Sequence, residues 1–179
     1  MPTDPSAFNE RFSQVLTMDI QSILQALEDT SVAMQIRESG SVFPNLESVH
    51  VIGIALVFGT IAVVDLRLLG IASHRRSALR LIQELLPYTW VAFAACVITG
   101  LLMFASNATT YAQNSVFWWK MGVLLLAGLN MAIFHLGAYR RIDEWDTTLP
   151  PPGQARVAGL CSLALWACVI GLGRWIGFV

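Results

Sequence analysis

Residues 46–70 read LESVHVIGIALVFGTIAVVDLRLLG, and this stretch decides the fold. It holds an apolar run long enough to cross a hydrocarbon core of about 30 Å, which takes about 20 helical residues. Between Glu47 and Arg67 at its margins, two further ionisable side chains interrupt it, His50 near its start and Asp65 near its end. A charged side chain in hydrocarbon costs about 2.5–3.5 kcal/mol on insertion scales, so such residues face the interior of a bundle and mark places of function.

Three further runs have the same character: Leu81 to Phe104 with Pro87 near its start, Val116 to Tyr139, and Val157 to Phe178. Of the 179 residues, 55% are hydrophobic and 13% charged, against about 25% charged in soluble domains. The fold class expected is all-α, a transmembrane four-helix bundle with short N-terminal interfacial helices. Residues 1–45 read as a polar tail and amphipathic outer-surface helices, and 46–179 as the four-helix transmembrane domain. The first fifteen or so residues are polar, and no basic segment precedes an apolar run there, so the internal helices are expected to drive insertion. Ile20, Ile23, Leu24 and Leu27 recur at helical spacing after Thr17 and Asp19, and Thr30 or Ser31 suits the cap of a second short helix ending near Gly40.

Orientation follows from the basic residues. Arg75, Arg76 and Arg80, with His74 beside them, follow the first run, and Arg140, Arg141 and Arg156 follow the third. The loop SNATTYAQNS between the second and third carries no charge, and the segment before the first is acidic. The positive-inside rule then places both termini outside, in the periplasm of a bacterial inner membrane. Phe117, Trp118, Trp119, Trp175 and Phe178 would form the outer aromatic belt, with Tyr139 and Trp145 at the inner face. The net charge of −1 gives no sign of nucleic acid binding. Cys96, Cys161 and Cys168 lie in apolar runs. The last two are roughly 10 Å apart along one helix, so they read as small hydrophobes and not as a disulfide.

His50 and Asp65 are fifteen residues apart on the first run, and Lys120 and His135 are fifteen apart on the third. Fifteen steps return a helical side chain to within about 60° of its starting direction and about 22 Å further on. The two runs are parallel, so the spacing predicts an outer layer of His50 with Lys120 and an inner layer of Asp65 with His135, with Arg67 and Asn130 nearby. Neutral imidazole is a common ligand of haem iron, and a desolvated lysine can coordinate as well. Gly53, one turn after His50, would let a flat macrocycle approach the backbone. Met103 and Met121 are softer alternative ligands, and Arg174 could hold a propionate. Simpler roles stand beside these: Lys120 snorkelling to the interface, His50 bonded to Glu47 or a neighbouring helix, Arg174 as an interfacial anchor, and glycines serving helix packing. For the inner layer an Asp65–His135 ion pair is the expectation, with a proton path or a second cofactor as the alternative.

The run ExxHxxG at 47–53 followed by DLRLLG, then LRLIQELLPYTWVAFAACVITGLL and FWWKMGVLLLAGLN, resembles a group of uncharacterised bacterial four-helix membrane proteins, as do IRESGSVFPNLESVH, SLALW and GRWIGF. More distantly the layout is similar to the haem-dependent protoporphyrinogen IX oxidase of bacteria and to the copper-resistance D membrane proteins. The resemblance to the oxidase implies haem b held by His50 and Lys120, with Arg67 closing the first span and Pro87 with Thr99-Gly100-Leu101 on the second. The last run lacks the oxidase's asparagine-glutamate-x-proline motif, so haem binding and electron transfer are implied more than that reaction. The alternatives are copper handling through His50 with Met103 or Met121, and a non-catalytic membrane subunit or scaffold without cofactor. Partners in this reading are the lipid bilayer, a redox partner or quinone, and a second copy of the chain in a homo-oligomer.

Overall fold

The computed structural model describes residues 18–72, 76–146 and 150–178. The polar first dozen residues, Thr17, His74 and Arg75 lie outside the described residues. Among those described there are helices and no strand. In chain order they are α1 (18–28), α2 (Ser31–Glu38), α3 (Val42–Leu68), α4 (Ala78–Ser106), α5 (Ala108–Gln113), α6 (Ser115–Leu136), a 3₁₀ turn (Ala138–Arg141), α7 (Ile142–Trp145), α8 (Gly153–Trp175) and a last 3₁₀ turn (Ile176–Phe178). The chain is all-α, and α3, α4, α6 and α8 are long and apolar enough to cross a membrane. Their outward faces are apolar too: Val51, Leu56, Val91, Leu101, Leu125 and Leu160 are each more than half exposed. That is the surface of a membrane protein, whose solvent is itself apolar.

The helix ends have local causes. Thr30 caps α2 by accepting from the Ala33 N–H, as its side chain and position predict. α3 starts at Val42, four residues before the apolar run, because Pro44 falls in its first turn, where no N–H is needed. It ends in a Schellman motif: Ile71 N–H donates to Leu66 O at 3.0 Å and Gly70 N–H to Arg67 O at 3.0 Å. Gly70 has φ +73° there, a value that favours glycine. α6 stops at Leu136, three residues short of the expected Tyr139, where Gly137 leaves helical geometry.

α4 packs along α3, α3 along α8, and α8 along α6. α4 and α6 stand at the two ends of this series and do not pack on each other along their lengths. They meet at the end of the bundle that holds α1, α2 and Phe178, through Phe104 stacked on Phe117 at 5.4 Å and on Tyr111 at 6.2 Å. The short helices close this terminal end. Ala33 and Ile36 of α2 are buried, Arg37 Nη1 donates to Ser106 O at 3.3 Å, and Glu28 accepts from both N–H and hydroxyl of Thr109 at 2.7 Å. Those two bonds, with Arg37 3.8 Å away, hold the Glu28 carboxyl below the usual carboxylate range. The apolar stripe expected on α1 mostly faces outward, Ile20 and Ile23 being exposed.

The opposite end carries Arg67, Arg76, Arg80, Arg140, Arg141 and Arg156 and holds a buried apolar cluster. Leu68, Ile82, Phe134, Ile142 and Trp145 belong to it. Trp145, expected in an inner aromatic belt, is instead buried, with its indole N–H donating to Ala138 O at 3.0 Å. The reason is that α7 folds back under the bundle and does not lie along the interface. Trp118, Trp119, Trp175 and Phe178 are exposed around the terminal end, as a belt requires.

Candidate functional site

The outer layer is centred on the α3–α4 contact. His50 Nδ1 lies 2.8 Å from Thr99 Oγ1. The Thr99 hydroxyl is itself 2.7 Å from Ala95 O, a carbonyl that can only accept. Its proton is therefore committed, and it accepts from His50 Nδ1–H. In a neutral ring this leaves Nε2 as the bare nitrogen, the arrangement by which an outer hydrogen bond sets a ligating histidine's tautomer. Cys96 Sγ lies 3.7 Å from His50 O and completes the seam. Gly100 is what admits the ring, since a Cβ there would stand 3.3 Å from His50 Cε1.

Lys120 enters from α6. It is half-buried, no carboxylate lies within ion-pair distance of it among the described residues, and it interacts electrostatically with both His50 and Cys96. Gly173 of α8 makes room for it, a Cβ there falling 3.5 Å from Lys120 Nζ. The structure thus places Lys120 within charge–charge range of His50, without a hydrogen bond between them. It does not bring in Arg174, which is exposed with its guanidinium 5.0 Å from the Phe178 ring centre, nor does it leave Gly53 open. A Cβ on Gly53 would stand 2.6 Å from Cys96 Sγ, so this glycine is used up in the approach of α3 to α4.

The inner layer differs from the expected ion pair. Asp65 (5% exposed) and half-buried His135 make no salt bridge with each other; both line one cavity of about 280 Å³. The cavity lies in the arginine half of the bundle between α4 and α6, and all four spans contribute to its wall. α3 and α6 do not pack directly, since α8 joins them on one side and the cavity separates them on the other. Ser162 of α8 shares the cavity wall with the Asp65 carboxyl, and Asp65 Oδ2 is buried with no partner. His135 Nδ1 is 2.9 Å from Met131 O, so Nδ1 carries the proton. Asn130, also at the cavity, donates to Ala158 O at 3.0 Å and ties α6 to α8.

Arg67 is not part of this layer. It lies two residues from Asp65 and so about 200° round the helix. At 1% exposure it donates through Nε to Arg76 O at 3.0 Å and through Nη2 to Asp146 O at 2.7 Å. The Asp146 carboxylate in turn accepts from Ser77 Oγ at 2.5 Å and Leu79 N–H at 2.7 Å, and caps α4 from across the loop. Sequence reasoning missed Asp146 and Ser162, and it marked Thr99 only through the resemblance of the second span, not as the partner of His50. An acid ahead of PPPG and hydroxyls inside apolar runs were the signals available.

A model for a family of unknown function, DUF6644, matches residues 27–179. The chain belongs to that family. DUF6644 therefore covers the site and all four spans, while residues before 27 fall outside it. No curated protein and no solved structure matches the chain significantly. The likeness to the haem oxidase and the copper-resistance proteins accordingly rests on the residues quoted for it.

Proposed function

We propose that this DUF6644 protein binds haem b in the membrane and transfers electrons. His50 would hold the haem iron through Nε2, and Lys120 would be a second ligand or the partner of a propionate. The observation that supports this most is the Ala95–Thr99–His50 chain of hydrogen bonds, which leaves a ligand nitrogen bare within charge–charge range of a lysine that has no acid partner among the described residues. Haem would supply one-electron chemistry, and the chain's part is to fix the imidazole's tautomer and direction. Two nitrogen donors are chemically suited to holding haem iron. Copper handling would draw on His50 with Met103 or Met121; no group of three His, Cys, Asp or Glu side chains assembles a metal site among the described residues. In this reading the arginine-rich end faces the cytoplasm of a bacterial inner membrane, both termini face the periplasm, and Arg174 is an interfacial anchor.

The test is a reduced-minus-oxidised absorption spectrum of the detergent-purified protein, with metal analysis alongside. A Soret band in the wild type that disappears in His50→Ala supports haem. Copper without a Soret band favours copper handling, and neither favours a scaffold subunit. Haem that persists in both His50→Ala and Lys120→Ala overturns the assignment.

A further inference from the structure

The cavity between α4 and α6 holds an unusual combination. A carboxyl oxygen, Asp65 Oδ2, is buried without a partner in a wall built mostly from apolar side chains. A buried polar atom in that state is costly unless something fills its hydrogen-bonding capacity. Neither neighbour fills it: Asn130 is committed to Ala158 O, and Arg67, on the other side of α3, spends Nε and Nη2 on the loop carbonyls while its Nη1 is itself without a partner. Because α4 and α6 do not pack along this stretch, the cavity is bordered at the gap by Trp90 (50% exposed) and Met131 (39% exposed). That gap faces the lipid side of the spans.

We propose that this cavity is a binding site for a lipid-soluble hydroquinone, with a ring hydroxyl hydrogen-bonded to Asp65 Oδ2. Three features select this chemistry. First, a hydroxyl can donate to a carboxylate or accept from a carboxylic acid, so it satisfies Asp65 in either protonation state; a carbonyl or an ammonium group satisfies only one. Second, His135 also lines the cavity, and with Nδ1–H turned to Met131 O its remaining ring nitrogen accepts, so the site offers two acceptors to a ligand with two donors. Third, Trp90, Phe93, Phe134 and Trp166 contribute aromatic faces suited to a flat ring. The volume of about 280 Å³ is at the small end for ligand pockets, enough for a ring head with its tail leaving through the gap. The proposal concerns binding alone and does not depend on haem, so its failure and that of the haem reading are told apart by separate assays.

The experiment titrates the full chain in detergent with decylhydroquinone and follows tryptophan fluorescence, to which Trp90 and Trp166 at the cavity contribute. The di-O-methyl ether of the same compound, which has the same ring and tail but no donor, is the control. Expected are saturable binding of the hydroquinone and at least tenfold weaker binding of the ether. Asp65→Leu, which removes the orphaned carboxyl and so should fold at least as well, abolishes that preference, and His135→Phe reduces it. Equal affinity for the two compounds in the wild type, a tenfold preference that survives in Asp65→Leu, or saturation of the fluorescence change by dioleoylglycerol at lower concentration than by decylhydroquinone would each overturn the proposal.

Discussion

Gly53→Ala adds one carbon at the tightest point of the α3–α4 contact. The new Cβ would lie 2.6 Å from Cys96 Sγ and 3.5 Å from Ala92 O. Non-bonded heavy atoms settle at about 3.5–4.0 Å, so the first contact is about 1 Å too short and the second is ordinary. Relief requires either Cys96 to leave its position against His50 O or the two helices to part, an overpacking cost of about 1–3 kcal/mol. Alanine's better helix propensity returns about 0.8–1.0 kcal/mol, which leaves a net loss of about 0–2 kcal/mol. The single variant alone is therefore weakly informative. In a Cys96→Ala background the short contact is gone and only the propensity gain remains. The double-mutant cycle, read by circular dichroism as SDS is titrated into folded protein in mixed micelles, should show a coupling of about 1–3 kcal/mol. Gly159→Ala provides the contrast, because its Cβ would stand 3.1 Å from Asp65 O, a backbone atom that no side-chain truncation can move. A coupling between Gly53→Ala and Cys96→Ala below about 0.5 kcal/mol, the range of independent sites, would refute the α3–α4 register on which the placement of His50 depends.

Arg67→Met removes a charged donor from two loop carbonyls, each bond worth about 1.5–3 kcal/mol, so SDS-induced unfolding should shift by about 3 kcal/mol or more. An unchanged midpoint would contradict the Arg67 bridge. Asp146→Ala uncaps α4 and should cost about 1–2 kcal/mol, measurable in the same titration, with Asp146→Asn losing less. The pH dependence of the terminal end follows from Glu28. Its folded-state pKa is depressed, so its contribution is complete above the ordinary carboxylate range and is lost as pH falls through the depressed value. Protection factors for exchange in 18–38, corrected for the intrinsic rate, should therefore fall on acidification, and Glu28→Gln should show the lower protection already at neutral pH.

Much of the fold was legible because membrane spans announce themselves by length alone. The helix ends required local chemistry: Thr30 was readable as a cap, whereas the early start of α3 turns on Pro44 being harmless in a first turn. His50 and Lys120 were legible for the same reason as the spans, since ionisable groups stand out in apolar runs. Their surroundings were not. Thr99 and Cys96 become partners of His50 only through the register between α3 and α4, which no spacing within one helix reveals. Equal spacing of His50–Asp65 and Lys120–His135 fixes depth along two parallel helices but not which helix stands between them. That is why Asp65 and His135 share a cavity without forming a pair. Arg67 could not be assigned from sequence because its partners are backbone carbonyls in loops.

The most direct test of the central claim is a haem titration into haem-free protein, following the Soret band of the wild type, His50→Ala and Thr99→Val. Saturation near one haem per chain is expected for the wild type, and no saturable binding for His50→Ala. For Thr99→Val the expected affinity is weaker by about 10–100-fold, the usual cost of losing the group that orients a ligating histidine. Wild-type and His50→Ala protein that titrate alike would contradict the claim.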